Sequence, residues 1–437
     1  MRIPSRLRPL VQTAFFAAFV VIFLNFSYPV VMPWSSPFTA ADPLAAVGGI
    51  LFSRGNWFPA LLPVGIFLGA TLVLGRAFCG WACPVGFLAD VTGFVRGKAN
   101  KSRKDRFGYI QYGVLAAVLV LSFFSLEALA IADPLVLFQR ASYVLWAGAG
   151  IPVVLIVLVG TSLAVERFWC RALCPLGGLL GAVALASPFG FRVGESCVRC
   201  GKCSRACPMG AISPEVHWDA TACTKCLKCE RTCPKAAISF GPSVPRVPAV
   251  SPSRRAFLAG AVALGALVLS EEVAATIAPP ASPVRPPGAL TEEKFNYVCA
   301  RCGSCAKACT GGVIKPAGLD AGLERAFTPA LDFGRGACQR CGTCGQVCPT
   351  GAIISLPREQ IKIGTARIDN QLCIAWKDGK KCLICNEVCP TGAVSGAGKL
   401  RPAVREDDCI GCGTCEFQCP VKEKAIRVSS TGERRRN

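Results

Sequence analysis

Residues 197–208 read CVRCGKCSRACP and residues 223–234 read CTKCLKCERTCP. Each is a C-x2-C-x2-C-x3-C-P run, the ligand spacing of a chain that wraps a pair of [4Fe–4S] cubanes. The short gaps let three thiolates of one turn-rich loop reach three iron corners of a single cubane. The fourth Cys, set before a proline, points to the other cubane. Cys197, Cys200, Cys203 and Cys233 are therefore expected at one cluster, and Cys223, Cys226, Cys229 and Cys207 at the second. Zinc ribbons also use C-x2-C pairs, but not two complete quartets.

The 437 residues hold 28 cysteines, 24 of them in six quartets and four in two C-x3-C-P pairs. Four further quartets follow. The first is Cys299, Cys302, Cys305, Cys309, and the next is Cys338, Cys341, Cys344, Cys348. Then come Cys373, Cys382, Cys385, Cys389 and finally Cys409, Cys412, Cys415, Cys419. Sixteen cysteines imply four clusters, and with the first pair the expected count is six. Two pairings are open: sequential, one with two and three with four, or nested, one with four and two with three. Thr310 replaces the usual proline after the first quartet, and eight residues separate Cys373 from Cys382. The modified first quartet favours nested pairing. These modules are small α+β iron–sulfur folds with little hydrophobic core, so metal–ligand bonds must supply much of their folding free energy.

Composition excludes other classes. At 52% hydrophobic residues the chain is not disordered. It is too long and apolar for a disulfide scaffold. His217 is the one histidine and no C-x-x-C-H occurs, which excludes a His-ligated haem. No phosphate loop or G-x-S-x-G is present. A net charge of +21 could mark a nucleic-acid partner. Six oxidised tetrathiolate clusters at about −2 each would cancel roughly 12 of those charges. Membrane topology accounts for the rest, and no nucleic-acid partner is expected.

The first 165 residues contain four long apolar runs, 9–32, 57–78, 107–131 and 142–165. Each is long enough for a hydrocarbon core of roughly 30 Å. Basic residues cluster before the first (Arg2, Arg6, Arg8), between the second and third (Arg96, Lys98, Lys101, Arg103, Lys104, Arg106) and after the fourth (Arg167, Arg171, Arg192). The other loops carry only Asp42, Arg54, Asp133 and Arg140. The positive-inside rule then sets the N-terminus and the end of the fourth span in the cytoplasm. The second span ends RAFCGWACPVG and the fourth RFWCRALCPLG, an internal repeat. Positions i and i+4 share a helix face, so Cys79 with Cys83, and Cys170 with Cys174, are expected to present paired sulfurs. They are candidates for a cofactor site, either a seventh cluster or reactive thiols. Glu127, Asp133 and Glu166 lie near the ends of spans and read as solvated loop acids; His217 reads as an ordinary histidine.

Residues 241–255 are a Pro/Ser-rich linker ending in the twin arginine Arg254–Arg255, and a fifth apolar stretch runs to about 278. Twin arginines before an apolar run mark export. The expected organisation is a polytopic helical membrane domain at 1–190 and a cytoplasmic two-cluster module at 191–245. A linker with a fifth span follows at 246–290, then a periplasmic four-cluster module at 291–437.

With these parts in order, residues 1–245 resemble NapH, the polytopic ferredoxin-type component of electron transfer from quinol to nitrate reductase. Residues 250–437 resemble NapG, a twin-arginine-exported four-cluster polyferredoxin. The chain thus looks like a fusion of the two. Methylamine-utilisation ferredoxins and accessory proteins of nitrous oxide reductase share the same parts. The resemblance implies a menaquinol or ubiquinol dehydrogenase in the bacterial inner membrane. It would draw on the quinone pool and feed a periplasmic oxidoreductase or cytochrome. The alternative is a reductase that assists maturation of a partner's metal centre.

Overall fold

Helices dominate the described residues before 190 because apolar runs without internal charge satisfy their backbone within themselves. The computed structural model describes residues 7–25, 42–44, 58–96, 110–122, 132–146, 153–242, 283–318, 321–322, 325–396 and 401–436. The described residues through 242 belong to one compact unit and those from 283 to another.

In the first unit the apolar runs form helices Leu7–Asn25, Phe58–Leu74, Ile110–Ser122 and Val153–Ala164. Among the described residues only Leu7–Asn25 is long and apolar enough to cross a membrane; the others are shorter. Leu10, Ile22, Leu62, Ile66 and Ile156 point outward and are exposed. Helices with an apolar outer face are suited to lipid or to a partner.

A further helix, Pro134–Trp146, occupies what the sequence suggested was an outer loop, and it takes in the first residues of the expected fourth span. The reason is local. Asp133 Oδ1 accepts the backbone N–H of Leu135 (2.8 Å) and Val136 (3.1 Å), an N-cap ahead of a proline at the first helical position. Asp133 is therefore fully buried, not a solvated loop acid. Asp42, also fully buried, accepts from Leu44 N–H at 3.0 Å, and its carboxyl group lies beside that of Asp133. Both acids sit in an A-D-P-L tetrad, at 41–44 and 132–135, a second trace of the internal repeat.

The iron–sulfur module of this unit is closed by an antiparallel ribbon, β1 (Phe189–Val193) with β2 (Ile238–Pro242), in register Phe189↔Pro242 to Val193↔Ile238. It thus begins two residues before the expected boundary. Its small core of Phe191, Ile212, Leu227 and Ile238 is continuous with cysteines of both motif types. Arg76 Nη1 donates to Thr221 O at 2.7 Å and Trp81 Nε1 to Lys225 O at 3.0 Å, fastening the module to the helix ends.

The second unit is built from ribbons, with three antiparallel pairs among the described residues. They are β3 (Ile314–Pro316) with β4 (Pro329–Leu331), β5 (Thr365–Ile368) with β8 (Ile426–Ser429), and β6 (Val394–Ser395) with β7 (Ala403–Val404). One ion cluster ties its two ends. Glu292 takes both Arg285 Nη2 (2.5 Å) and Nε (3.1 Å), and Arg435 Nη1 at 3.1 Å. Burial alone would push the Glu292 carboxyl up, but Arg285, with Arg435 and Arg325 behind it, holds it below its ordinary 4.5. A depressed acid gives stability above its unfolded pKa and loses it as pH falls through the folded value. This unit should therefore weaken below about pH 4.5. Glu292→Gln should cost about 2–3 kcal/mol at pH 7, less than a fully buried pair because Glu292 keeps one side in water. Thermal unfolding at pH 7 and pH 4 checks both: the variant should lose stability and most of the acid dependence.

Candidate metal centres

Each thiol loop is shaped by left-handed residues on either side of the second cysteine. In five of the six quartets both positions have positive φ: Arg199 and Gly201, Lys225 and Leu227, Arg301 and Gly303, Arg340 and Gly342, Gly411 and Gly413. This curls the backbone so that its N–H groups face the sulfurs. Short helices then start, such as Lys202–Ala206 and Ser304–Lys307, and carry the third Cys inward. The exception is the quartet of Cys373, whose longer spacing removes the need for the double turn.

The thiols gather into six sets. Cys197, Cys200, Cys203 and Cys233 line one pocket (site I), and Cys223, Cys226, Cys229 and Cys207 another (site II). Both have the ligand exchange read from the spacing. In the second unit Cys348 stands within electrostatic reach of Cys299, Cys302 and Cys305 (site III). Cys309 joins Cys338, Cys341 and Cys344 (site IV). Cys373, Cys382 and Cys385 lie with Cys419 (site V), and Cys409, Cys412 and Cys415 with Cys389 (site VI). The exchange is therefore sequential, not nested. Local pairing decides it. Leu290 N donates to Ala352 O (3.1 Å) and Ile354 N to Gly288 O (2.9 Å), drawing the end of quartet two onto quartet one. Ribbons β5–β8 and β6–β7 do the same for quartets three and four. Thr310, which suggested nesting, instead sets its hydroxyl 3.6 Å from Cys341 Sγ.

The C-x3-C-P motifs do not lie on continuous α-helices. Cys79 is in the short helix Ala77–Trp81, and Cys83 follows the break before Pro84. Cys170 is in the π-turn Trp169–Leu173, and Cys174 caps Pro175–Ala184. Proline cannot continue the preceding helix, so it starts a new one. The break redirects the sulfurs toward each other. Cys83 is within electrostatic reach of Cys79 and Cys170, and Cys174 of Cys170, Cys79 and Cys83. All four are at most 9% exposed (site VII).

Two arginines complete site VII, and the motif reading gave neither of them a role there. Arg76 and Arg167 each precede the first Cys of a motif by three residues and are 1% and 0% exposed. Arg76 lies by Cys79 and Cys174; Arg167 lies by Cys170 and by Cys226 of site II. Their equivalent places in the repeat were the signal available.

The sets fit clusters better than single ions. Sulfurs around one zinc stand about 3.8 Å apart; among the described residues no three His, Cys, Asp or Glu side chains converge so closely as to hold one ion. Backbone N–H groups point at the sulfurs: Gly177 to Cys174 (3.2 Å), Ala211 to Cys207 (3.3 Å), Ala237 to Cys233 (3.3 Å), Ile353 to Cys348 and Ala366 to Cys409 (both 3.4 Å). Such donors favour thiolates. Burial pushes the free thiols of Cys223, Cys299 and Cys338 up to about 12, so metal binding there must displace protons.

Of the remaining candidates, Glu166 is partly exposed with Lys228 Nζ at 4.0 Å, and His217 is a surface histidine beside Glu215. Glu127, the twin arginine and the fifth apolar stretch lie outside the described residues.

Family profiles agree with the sites. Those described as a 4Fe-4S binding domain match residues 56–102 and 146–193, 194–213 and 402–422, and 215–238. One described as a 4Fe-4S dicluster domain matches 298–353, the span that encloses sites III and IV. The chain thus carries multiple 4Fe–4S clusters. Ferredoxin-type protein NapH of Haemophilus influenzae is 27% identical over 191 residues, 41% of this chain and 62% of its own length. Methylamine utilization ferredoxin-type protein MauN of Methylorubrum extorquens is 32% identical over 190 residues, 40% of this chain and 61% of its own. Uncharacterized protein MJ0750 of Methanocaldococcus jannaschii is 32% identical over 166 residues, 36% of this chain and 68% of its own. Coverage of the first relatives runs from 46% to 68% of their lengths. No solved structure matches. Relatives named as ferredoxin-type and electron-transport proteins share these motifs, and the chain belongs to the 4Fe–4S protein family that includes MJ0750.

Proposed function

We propose that this chain is a membrane-bound quinol dehydrogenase that passes electrons from the quinone pool to a periplasmic reductase. It would hold seven clusters, six in the quartets and one in site VII. The observation that carries the reading is the convergence of Cys79, Cys83, Cys170 and Cys174, two from each repeat, beside the buried Arg76 and Arg167. Bound in these sites, [4Fe–4S] clusters supply one-electron carriers.

The residues around site VII suit such a role. A tetrathiolate cluster is anionic, and two buried guanidinium groups offset that charge where water cannot. The apolar helices on either side supply a lipid-accessible approach. Trp81 and Arg76 hold the loop of site II against the motif, and Gly80 permits it: a Cβ there would stand 2.4 Å from Thr224 O. Quinol oxidation releases two electrons and two protons, and the electrons must depart singly. Sites VII and II side by side provide two places for them. The Lys/Arg distribution and the twin arginine favour five spans, the first module inside and the second outside. The quartet order and the likeness to NapH favour a nitrate- or nitrous-oxide-reductase-like recipient.

Purified protein in liposomes, given menaquinol or ubiquinol under anaerobic conditions, should bleach in its iron–sulfur absorbance. Clusters that stay oxidised with both quinols, yet reduce with dithionite, would refute the quinol reading.

A further inference from the structure

We infer that the exposed basic face over site V is the docking surface for a redox partner with an acidic surface. This rests on the reading that the second unit carries electrons, and it adds where they leave. Sites III and IV exchange a cysteine, as do V and VI. The two pairs meet through IV and VI: Cys338 N–H donates to Cys412 O at 2.9 Å, and the Phe333 ring packs on Gly413 so closely that a Cβ there would stand 1.8 Å from it. The spatial order is therefore III–IV–VI–V, and III and V are the ends. At site III the thiols of Cys299, Cys302 and Cys305 are at most 8% exposed and Cys348 alone is partly exposed, whereas at site V Cys373 alone is buried. At site V Cys382, Cys385 and Cys419 are all partly exposed. Site V is the end open to a partner.

Its surroundings are basic for no reason that ligation supplies. The other quartets manage with two residues between their first cysteines; here eight intervene and carry Lys377, Lys380 and Lys381, all exposed. The insertion is fixed at its base. Trp376 Nε1 donates to Pro402 O at 3.0 Å, and the Arg401 guanidinium sits 5.0 Å over the Trp376 ring. Beside it an open groove, lined by Leu372 next to Cys373, presents Arg367 and Arg427. Asp369, Asp378, Glu387 and Glu423 offset only part of this charge, to which Arg401 and Lys424 add. The flank of site VI is acidic on balance: Glu406, Asp407 and Asp408 are exposed in a row, with Arg405 paired to Asp408 at 2.6 Å. Opposite charges on adjacent faces would steer an acidic partner onto site V and away from site VI. Redox encounters use small interfaces of this kind.

The test uses the full chain in zwitterionic-lipid nanodiscs and an acidic c-type cytochrome as probe, with binding read by fluorescence anisotropy. Affinity should fall about tenfold between low and physiological salt. The Lys377→Glu, Lys380→Glu, Lys381→Glu variant should weaken it about tenfold at low salt. Arg358→Glu, an exposed charge elsewhere on this unit, should leave binding unchanged. Binding unmoved by the triple reversal, or weakened equally by Arg358→Glu, overturns the docking surface. So does a triple variant that loses adhesion to anionic-lipid vesicles while keeping its affinity for the cytochrome. Iron is measured on every sample. Iron-free wild-type protein would instead sink the electron-carrying reading beneath the inference.

Discussion

Cys79→Ser with Cys83→Ser should remove about four irons per chain from anaerobically purified protein, and Cys170→Ser with Cys174→Ser should remove the same four. The quadruple variant should lose no more than either double. This non-additivity is the signature of one site built from two halves. Two independent dithiol sites would lose iron additively, or lose none. Wild-type protein should hold about 28 irons, against about 24 if the motifs are free thiols. The functional consequence should be larger than the loss of metal. Quinol should no longer bleach the remaining clusters, while dithionite, which needs no membrane site, should still reduce them. Quinol reduction at the wild-type rate in either double variant would end the assignment of site VII as the point where electrons enter. Both doubles are needed because Cys170 lies beside Arg167 and Cys79 beside Arg76. A defect from one altered ion environment would not recur identically in the other.

The cysteine spacing made much of this legible. C-x2-C-x2-C-x3-C-P dictates a tight loop and a ligand handed to a neighbour, and sites I and II have that geometry. The repeat of C-x3-C-P pointed to a shared site because each copy offers only half of a tetrathiolate. What spacing cannot encode is which distant segments pair. Cluster exchange in the second unit follows from the contact of residues 288–290 with 352–354 and from the β5–β8 ribbon. These are backbone bonds between segments with no distinctive side chains. Thr310 misled because a missing proline looks like altered topology, whereas its hydroxyl answers to a single sulfur. Asp133 misled for a related reason. An acid at a span end is usually solvated, but one before proline caps a helix, and the cap turned it inward to Asp42. The helical i, i+4 reading of the cysteine pairs failed at the same residue type: proline after the second Cys ends one helix and starts another.

Asp90→Asn should be the most damaging single change in the first unit that touches no cysteine. Asp90 lies on helix Pro84–Arg96 and gathers cations from three parts of the chain. Arg167 grips it in two places, Nη2 to Oδ2 at 2.6 Å and Nε to Oδ1 at 3.2 Å. Arg8 of the first helix pairs with the same Oδ2, where Gln12 Nε2 also donates at 2.9 Å. Lys228, from the loop of site II, stands 3.8 Å from Oδ1. The Arg167 side chain is 0% exposed and that of Arg8 5%, so neither can turn to water when the acid is neutralised. Stranding a buried charge costs about 3–5 kcal/mol, far more than a surface pair is worth. Asp90→Asn should thus lower the thermal midpoint of the first unit sharply, and Asp90→Glu should restore part of it. The double variant Asp90→Asn, Arg8→Gln should be less destabilised than the sum of its singles, since removing Arg8 also removes one stranded charge. Strict additivity would mean that the pair does not interact. Because Arg167 also faces Cys170 and Cys226, a freed guanidinium changes the charge on sites VII and II together. The redox midpoints of their clusters should move in Asp90→Asn, while those of the second unit stay fixed. A uniform shift across all clusters would assign the effect to general loosening, and no shift would show that Asp90 serves packing alone.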